Sequence, residues 1–254
     1  AAVHGHRTQL ELGGNAPFVV FDDADLDAAI QGAAAGALIN TGQDCTAATR
    51  AIVAADLYDD FVAGVGELFG KIVVGDPEDP DTDIGPLITA AHRAKVAGMV
   101  ERAPGEGGRI VTGGVAPDGP GSFYRPTVIA DVSEQSEVWR DEIFGPVLTV
   151  RPFTDDDDAL RQANDTAYGL AASAWTRDVY RAQRASREIH AGCVWINDHI
   201  PIISEMPHGG FGASGFGKDM SQYSLEEYLS IKHVMSDITG VADKEWHRTV
   251  FAKR

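Results

Sequence analysis

Short apolar segments alternate along the chain with longer amphipathic ones, and this alternation constrains the fold more than any other feature of the sequence. The short segments are rich in β-branched and aromatic residues, as buried strands are. Strands are predicted at residues 8–12, 17–21, 50–54, 109–112, 145–152, 169–175 and 193–197, and helices at 26–38, 57–72, 89–102, 155–164 and 179–189. Strands that alternate with helices of this length are typical of βαβ units. The chain is therefore predicted to be an α/β protein whose largely parallel sheet is flanked by helices.

Composition limits the classes of partner that the protein can have. The net charge of −17 at pH 7 disfavours nucleic acid and anionic membrane surfaces as partners. The sequence contains neither an apolar run of about 18 residues nor a signal segment at its start, so no membrane span is expected. Its two cysteines, Cys45 and Cys193, are too few for a disulfide framework. Together these features predict a cytoplasmic protein.

Two residues suggest covalent chemistry. Cys45 follows the polar segment Gly42-Gln43-Asp44, and Glu11 lies just before a pair of glycines. A thiol, once deprotonated, is the strongest nucleophile among the side chains, and a carboxylate with a raised pKa can act as a general base. The pair predicts that the sulfur attacks a carbonyl and that an activated water later releases the acyl group. Considered alone, Cys45 is better explained as an inert buried thiol and Glu11 as a surface carboxylate.

The neighbouring motifs reverse that preference. The chain contains Glu11-Leu12-Gly13-Gly14-Asn15, Gly42-Gln43-Asp44-Cys45, Phe123-Tyr124-Arg125-Pro126-Thr127, Glu142-Ile143-Phe144-Gly145-Pro146, Tyr168-Gly169-Leu170, Val194-Trp195-Ile196-Asn197 and Pro207-His208-Gly209-Gly210. In this order, over residues 1 to about 236, they resemble the aldehyde dehydrogenase superfamily. Together with residues 204–210, the Cys45 motif most closely resembles the 4-aminobutyraldehyde dehydrogenases. Betaine-aldehyde and succinate-semialdehyde dehydrogenases are near relatives.

The resemblance implies that an aldehyde is oxidised to its carboxylate through a covalent intermediate. Cys45 would form a thiohemiacetal, and the Cys45 backbone N–H would meet the oxyanion. Hydride would then pass to NAD, or to NADP, and leave a thioester on the sulfur. Glu11 would take a proton from the water that hydrolyses this thioester, and partial burial would raise its pKa towards the working pH.

By the same resemblance, Glu142 would bind the nicotinamide ribose and Phe144 would pack against the nicotinamide ring. Leu12 and Gly13 would also contact this cofactor. Without the family context, Glu142 would be interpreted as an acid at a helix end and Phe144 as a core aromatic. The glycines Gly13 and Gly14 suit either a simple turn or a close approach of the backbone to the cofactor.

Four residues are predicted to bind the substrate: Asp44, Thr46, Glu205 and His208. An acid beside the nucleophile disfavours the thiolate, so Asp44 suits a substrate that carries positive charge, such as an ω-amino aldehyde. The alternative for Asp44 is a local cap within its loop. His208 and residues 200–205 would line the substrate tunnel.

The resemblance covers only part of a typical family member, which is nearly twice as long. Residues 1–13 are expected to be a remnant of the dinucleotide-binding domain and 14–215 the catalytic domain. A C-terminal helix and oligomerisation strand would follow at 216–236 and a polar tail at 237–254, and the protein would form a dimer or tetramer. A truncated, non-catalytic fragment that acts only in assembly, or a cofactor-free esterase, are the alternatives. No metal site is expected, because His4 and His6 lack a further ligand at zinc spacing.

Overall fold

The computed structural model describes Val3 and residues 5–250. Its strands are β1 (Leu10–Glu11), β2 (Ala16–Val20), β3 (Ala48–Ala54), β4 (Arg109–Thr112), β5 (Thr127–Ala130), β6 (Val147–Phe153), β7 (Ala171–Trp175), β8 (Cys193–Ile196) and β9 (Gly215–Phe216). Its α-helices are α1 (Leu26–Leu38), α2 (Tyr58–Lys71), α3 (Ala90–Arg102), α4 (Glu137–Arg140), α5 (Asp156–Asn164), α6 (Val179–Glu188) and α7 (Ser221–Glu227). Short 3₁₀ segments lie at Ile39–Gly42, Ala55–Leu57, Ala103–Glu106, Gly212–Ser214 and Glu245–Thr249.

A seven-stranded sheet forms the centre of the protein, with the strand order β4-β5-β6-β3-β2-β7-β8. The pairs from β5 to β8 are all parallel, and only the edge strand β4 runs antiparallel to its neighbour. A separate two-stranded antiparallel sheet joins β1 to β9, with Glu11 opposite Gly215. This small sheet connects chain segments on either side of the catalytic region predicted at residues 14–215, whose boundaries stay a prediction.

Apolar side chains cover both faces of the large sheet, as expected for a sheet between two layers of helices. On one face, Phe18 and Leu148 pack with Phe61 and other residues of α1 and α2. On the other face, Ile52 packs with Val100 of α3 and with residues of α5 and α6. The predicted α/β fold with a largely parallel sheet is therefore confirmed.

Local capping explains why several helices begin where they do. The side chain of Asp25 accepts a hydrogen bond from the backbone N–H of Ala28 at the start of α1. Thr89 caps α3 and Asp155 caps α5 in the same way. Such caps satisfy backbone N–H groups that have no partner within the helix.

Every predicted strand and helix up to residue 197 is present, with ends shifted by a few residues at most. The strand β5, the short helix α4 and the two-residue strand β9 are additions that the sequence pattern did not indicate. An oligomerisation strand was predicted within residues 216–236, and the described residues after Phe216 contain no strand.

The segment that follows α7 carries exposed apolar side chains. Tyr228, Ile231, Met235 and Ile238 are each more than three-quarters exposed. The predicted oligomerisation strand requires pairing with another chain, and it therefore stays a prediction. In the part of the chain that is described, no helix is long and apolar enough to cross a membrane.

Candidate active site

The predicted site residues lie directly before three of the parallel strands. Gly13 and Gly14 precede β2, Cys45 precedes β3, and Glu142 and Phe144 precede β6. Because β6, β3 and β2 are consecutive and parallel, their amino ends lie side by side at one edge of the sheet. Segments that are far apart in the sequence therefore meet at this edge.

Cys45 is half-buried in a tight turn that Asp44 stabilises. The Asp44 Oδ1 atom accepts hydrogen bonds from the Thr46 backbone N–H, at 2.7 Å, and from the Thr46 hydroxyl, at 2.6 Å. The Ala47 N–H donates to the Asp44 carbonyl at 3.1 Å. Just before the turn, Gly42 has a φ of +71°, a conformation that favours glycine.

Gly14 joins the cysteine turn to Glu142. Its N–H donates a hydrogen bond to the Glu142 Oε1 atom at 2.8 Å. A Cβ atom built on Gly14 would lie 1.9 Å from the Cys45 carbonyl oxygen, and one on Gly13 would lie 2.3 Å from Glu142 Oε2. At Gly14 a side chain is excluded by the backbone of Cys45, whereas at Gly13 it would displace the Glu142 carboxylate.

Glu11 lies at the start of the same segment, on β1. Its Oε2 atom is 3.9 Å from the Nε2 atom of His208. A Cβ atom on Gly209 would lie 2.9 Å from Glu11 Oε1, so the carboxylate rests against this glycine. Burial raises the pKa of Glu11; His208 and Lys218 oppose this rise, and Asp219 adds to it. A raised pKa suits a carboxylate that exchanges protons near neutral pH.

The electrostatic environment keeps the Cys45 thiol protonated. Burial raises the pKa of Cys45 most, followed by the charge of Asp44, and its own backbone N–H opposes the rise. Glu11 and Glu142 also raise the pKa of Cys45, so both carboxylates lie within electrostatic reach of the sulfur. Burial likewise raises the pKa of Glu142, against the hydrogen bond from Gly14.

The four predicted substrate residues do not form one cluster. Asp44 and Thr46 bond to each other, so one carboxylate oxygen of Asp44 acts as the local cap that was the alternative for this residue. Thr46 is 1 % exposed, and its hydroxyl is engaged in that bond. Glu205 is exposed and accepts a hydrogen bond from the Ser204 hydroxyl at 3.1 Å. His208 lies beside Glu11 instead.

A largely apolar groove of about 420 Å³ opens next to His208. Strand β8 contributes Cys193, Val194 and Trp195, and the loop that follows contributes the rest of the lining: Pro201, Ile202, Ile203, Met206, Pro207 and His208. The predicted tunnel segment 200–205 therefore lines part of a real groove, and Glu205 is not among its lining residues.

Comparison with known proteins decides the family. A family model described as the aldehyde dehydrogenase family matches residues 1–234. The chain belongs to this family. It is 46% identical over 227 residues to "Succinate-semialdehyde dehydrogenase [NADP(+)] 1" of Mycobacterium tuberculosis, covering 89% of this chain and 50% of the relative.

Other aldehyde dehydrogenases are similar as well. The chain is 40% identical over 232 residues to the betaine aldehyde dehydrogenase of Bacillus subtilis, covering 90% of this chain and 47% of that protein. The crystal structure of the Staphylococcus aureus betaine aldehyde dehydrogenase in complex with NAD⁺ superimposes with a TM-score of 0.89 at 36% identity, covering 96% of this chain and 50% of that one. The chain thus spans about half the length of the aldehyde dehydrogenases that it matches.

The residues predicted to contact the cofactor form a continuous surface. Glu142 touches Gly13 and Gly14, and Leu12, which is 46% exposed, adjoins them. Phe144 has a φ of +59°, and its carbonyl accepts a hydrogen bond from the Nε2 atom of a histidine on α3 at 2.6 Å. The half-buried Glu142 carboxylate is the hydrogen-bond acceptor that this surface offers, with its Oε1 atom already bonded to Gly14.

Two buried residues were missed by the sequence analysis. Arg50 is fully buried and donates hydrogen bonds to the carbonyls of Asn15, Gln162 and Ala163. His199 is 6% exposed and contacts the cysteine turn. A buried histidine or arginine has no local sequence signal, because its environment comes from distant segments.

Metal binding has no support among the residues that the structure describes. Within them, no three His, Cys, Asp or Glu side chains are grouped in a way that could hold a metal ion. His4, named above with His6, lies outside the described residues.

Proposed function

We propose that this part of an aldehyde dehydrogenase oxidises an aldehyde through a thioester on Cys45, with Glu11 as the general base and NAD or NADP as the oxidant. One observation supports the proposal above the others. The segment from Glu11 to Gly14 runs past both Cys45 and Glu142, and both carboxylates act electrostatically on the thiol. This proximity supports a single site for the proposed nucleophile, base and cofactor-binding acid.

The first half of the reaction uses the turn that contains Cys45. The Cys45 thiol releases its proton to solvent, and the thiolate then attacks the carbonyl carbon of the aldehyde while the carbonyl electron pair moves to the oxygen. The Cys45 backbone N–H donates to that oxygen in the resulting thiohemiacetal. When bound, NAD or NADP would supply a hydride acceptor for this carbon, and loss of the hydride would leave an acyl thioester on the sulfur.

The second half uses Glu11. Its carboxylate takes a proton from a water molecule, and the hydroxide attacks the thioester carbon. The carbon–sulfur bond breaks to give the carboxylic acid and the Cys45 thiolate, and the acid and the protonated Glu11 each release a proton to solvent. Because burial raises the pKa of Glu11, this carboxylate is a stronger base than an exposed one.

Leu12, Gly13, Glu142 and Phe144 would hold the nicotinamide end of the cofactor. Glu142 supplies hydrogen-bond acceptors for ribose hydroxyls, and Phe144 supplies an apolar face for the ring. The residues present do not discriminate NAD from NADP, since the adenosine end contacts none of them in this proposal.

For the substrate, we propose an aldehyde that carries positive charge, such as 4-aminobutanal. The acids Glu11, Asp44 and Glu142 surround the thiol, and a cationic substrate would reduce their unfavourable effect on the thiolate. Betaine aldehyde shares this charge. Succinate semialdehyde is the competing candidate, because relatives that are 46% identical are succinate-semialdehyde dehydrogenases and because Lys218 lies near Glu11.

The covalent step is tested without cofactor, by acylation with 4-nitrophenyl acetate. Cys45→Ala should abolish acetylation of the chain, measured by intact mass, whereas the matched variant Cys193→Ala should leave it unchanged. Glu11→Gln should keep the initial burst of nitrophenol and slow the steady rate by about 100-fold, a typical loss for a general base. Equal acetylation of Cys45→Ala and wild type would refute the proposed nucleophile.

The substrate class is tested by kcat/KM for NADH or NADPH formation with 4-aminobutanal, betaine aldehyde, succinate semialdehyde and butanal. Asp44→Asn should raise KM for the two cationic aldehydes far more than for butanal. Equal effects on all four would count against a charge role for Asp44. A preference for succinate semialdehyde would contradict the proposed cationic substrate and would support an anionic aldehyde as the substrate.

A non-catalytic role in assembly is the second candidate. It is supported by the exposed apolar side chains after α7. The same apolar side chains support our proposal that the chain forms a homo-oligomer. Formation of NADH by this chain alone would exclude the purely structural role, and its sedimentation velocity would test the assembly.

A further inference from the structure

His199 makes two hydrogen bonds from a buried position beside the cysteine turn. Its Nε2 atom is 2.8 Å from the Thr46 carbonyl oxygen, and its Nδ1 atom is 2.9 Å from the Ser173 hydroxyl. Ser173 lies in β7 and Thr46 directly follows Cys45. The ring therefore links the central sheet to the residue after the nucleophile.

The chemistry of these partners determines which nitrogen carries the proton. A carbonyl oxygen only accepts hydrogen bonds, so Nε2 must be the protonated nitrogen that donates to Thr46. In the neutral ring Nδ1 then accepts from the Ser173 hydroxyl, which can donate. Burial lowers the pKa of His199 to about 4, so the ring is neutral at physiological pH.

The packing around the ring leaves it little freedom. Trp195 lies with its ring centroid 4.8 Å from that of His199, and Phe18 at 5.8 Å. On the helix α1 side, a Cβ atom built on Gly36 would lie 2.9 Å from the His199 Cδ2 atom. The absence of a side chain at Gly36 thus makes room for the imidazole.

We infer that His199 is a positioning residue for the nucleophile. Its Nε2–H group holds the Thr46 carbonyl, which is at the far end of the turn that Asp44 closes from within. The turn then keeps the Cys45 thiol and the Cys45 N–H aimed at the same reacting carbonyl. This inference rests on the proposed function only in taking Cys45 as the nucleophile, and no property of His199 in the sequence indicated it.

Two conservative variants separate the two hydrogen bonds of the ring. The amide nitrogen of His199→Gln reaches the position of Nε2 and can still donate to Thr46. The shorter His199→Asn retains a polar atom near the position of Nδ1, for Ser173, and loses the bond to Thr46. Both variants remove the titratable ring, so they differ mainly in the contact under test.

The readout compares two reactions of the same thiol. Acetylation of Cys45 by 4-nitrophenyl acetate passes through an oxyanion that the Cys45 N–H can stabilise, whereas alkylation by iodoacetamide does not. We expect His199→Asn to slow acetylation about 10-fold, since small displacements of aligned groups lose rate factors of this order or more. Alkylation should change less than about threefold, and His199→Gln should restore acetylation to near the wild-type rate.

Cys193 serves as the internal control, and amide hydrogen exchange gives an independent measurement. A general loosening of the fold would speed alkylation of Cys193 together with that of Cys45. In His199→Asn, amide hydrogen exchange should become faster in the peptide that covers residues 43–47 and should stay unchanged in the strands of the large sheet. Equal acetylation rates for the Asn and Gln variants, or unchanged exchange at 43–47, would overturn the inference.

Failure of the proposed function would look different. In that case wild-type Cys45 would acetylate no faster than Cys193, while exchange at residues 43–47 would still report whether His199 orders the turn.

Discussion

Replacing Gly14 with alanine should disrupt the site, because the added methyl group would clash with the backbone of Cys45. The new Cβ would start 1.9 Å from the Cys45 carbonyl oxygen, and the two backbones must separate by about 1.1 Å to reach 3.0 Å. Gly14 is not in a positive-φ conformation, so no backbone strain from an unfavourable φ is added to the clash. Overpacking typically costs about 1–3 kcal/mol, and weakening the hydrogen bond to the Glu142 carboxylate adds to it.

Two matched variants should show smaller losses of stability than Gly14→Ala. In Gly13→Ala the Cβ would meet the Glu142 side chain, which can move, whereas in Gly105→Ala it would meet no atom within 4 Å. Urea unfolding followed by tryptophan fluorescence should give losses of about 3 kcal/mol for Gly14→Ala, about 1 kcal/mol for Gly13→Ala and less than about 0.5 kcal/mol for Gly105→Ala. The reasoning is refuted if Gly14→Ala is as stable as Gly105→Ala and its Cys45 acetylates at the wild-type rate.

Three further predictions follow from burial and charge. The rate of Cys45 alkylation should keep rising with pH beyond the range of an ordinary thiol, because burial and Asp44 raise the pKa of Cys45; a profile like that of a free thiol would contradict this. Burial holds the pKa of His199 at about 4 in the folded protein, below the unfolded value of 6.5. As the pH falls, the unfolded chain therefore binds this proton first. The contribution of the neutral ring to the free energy of unfolding is fully present above about pH 6.5 and is lost towards pH 4. Between about pH 7 and pH 5, wild type should therefore lose about 2 kcal/mol more unfolding free energy than His199→Gln, and equal losses would argue against a neutral buried ring. Arg50→Met leaves three buried carbonyls without their donor and should cost about 3 kcal/mol or more, against less than about 0.5 kcal/mol for the exposed Arg187→Met in the same urea assay.

Local signals in the sequence were sufficient for most of the secondary structure. Helix α1 and strand β4 occupy the predicted residues, 26–38 and 109–112. For α1 the start is set by the Asp25 cap, an interaction over three residues that a local pattern contains. Strand β5 was missed because its four residues are all buried, so they show no alternation of apolar and polar side chains. Strand β9 was missed because its two residues are ordered only by pairing with β1.

The sequence by itself determined the fold class and the identity of the candidate nucleophile and base. Alternating apolar periods specify a sheet between helices, and the motifs around Glu11 and Cys45 carry the family resemblance. Only the tertiary structure decided that His199 contacts the cysteine turn from a distant loop. It also decided which strands are neighbours, and hence that the segments before β2, β3 and β6 meet. The physical reason is that these contacts depend on long-range strand pairing and on burial by distant segments, neither of which leaves a local pattern in the chain.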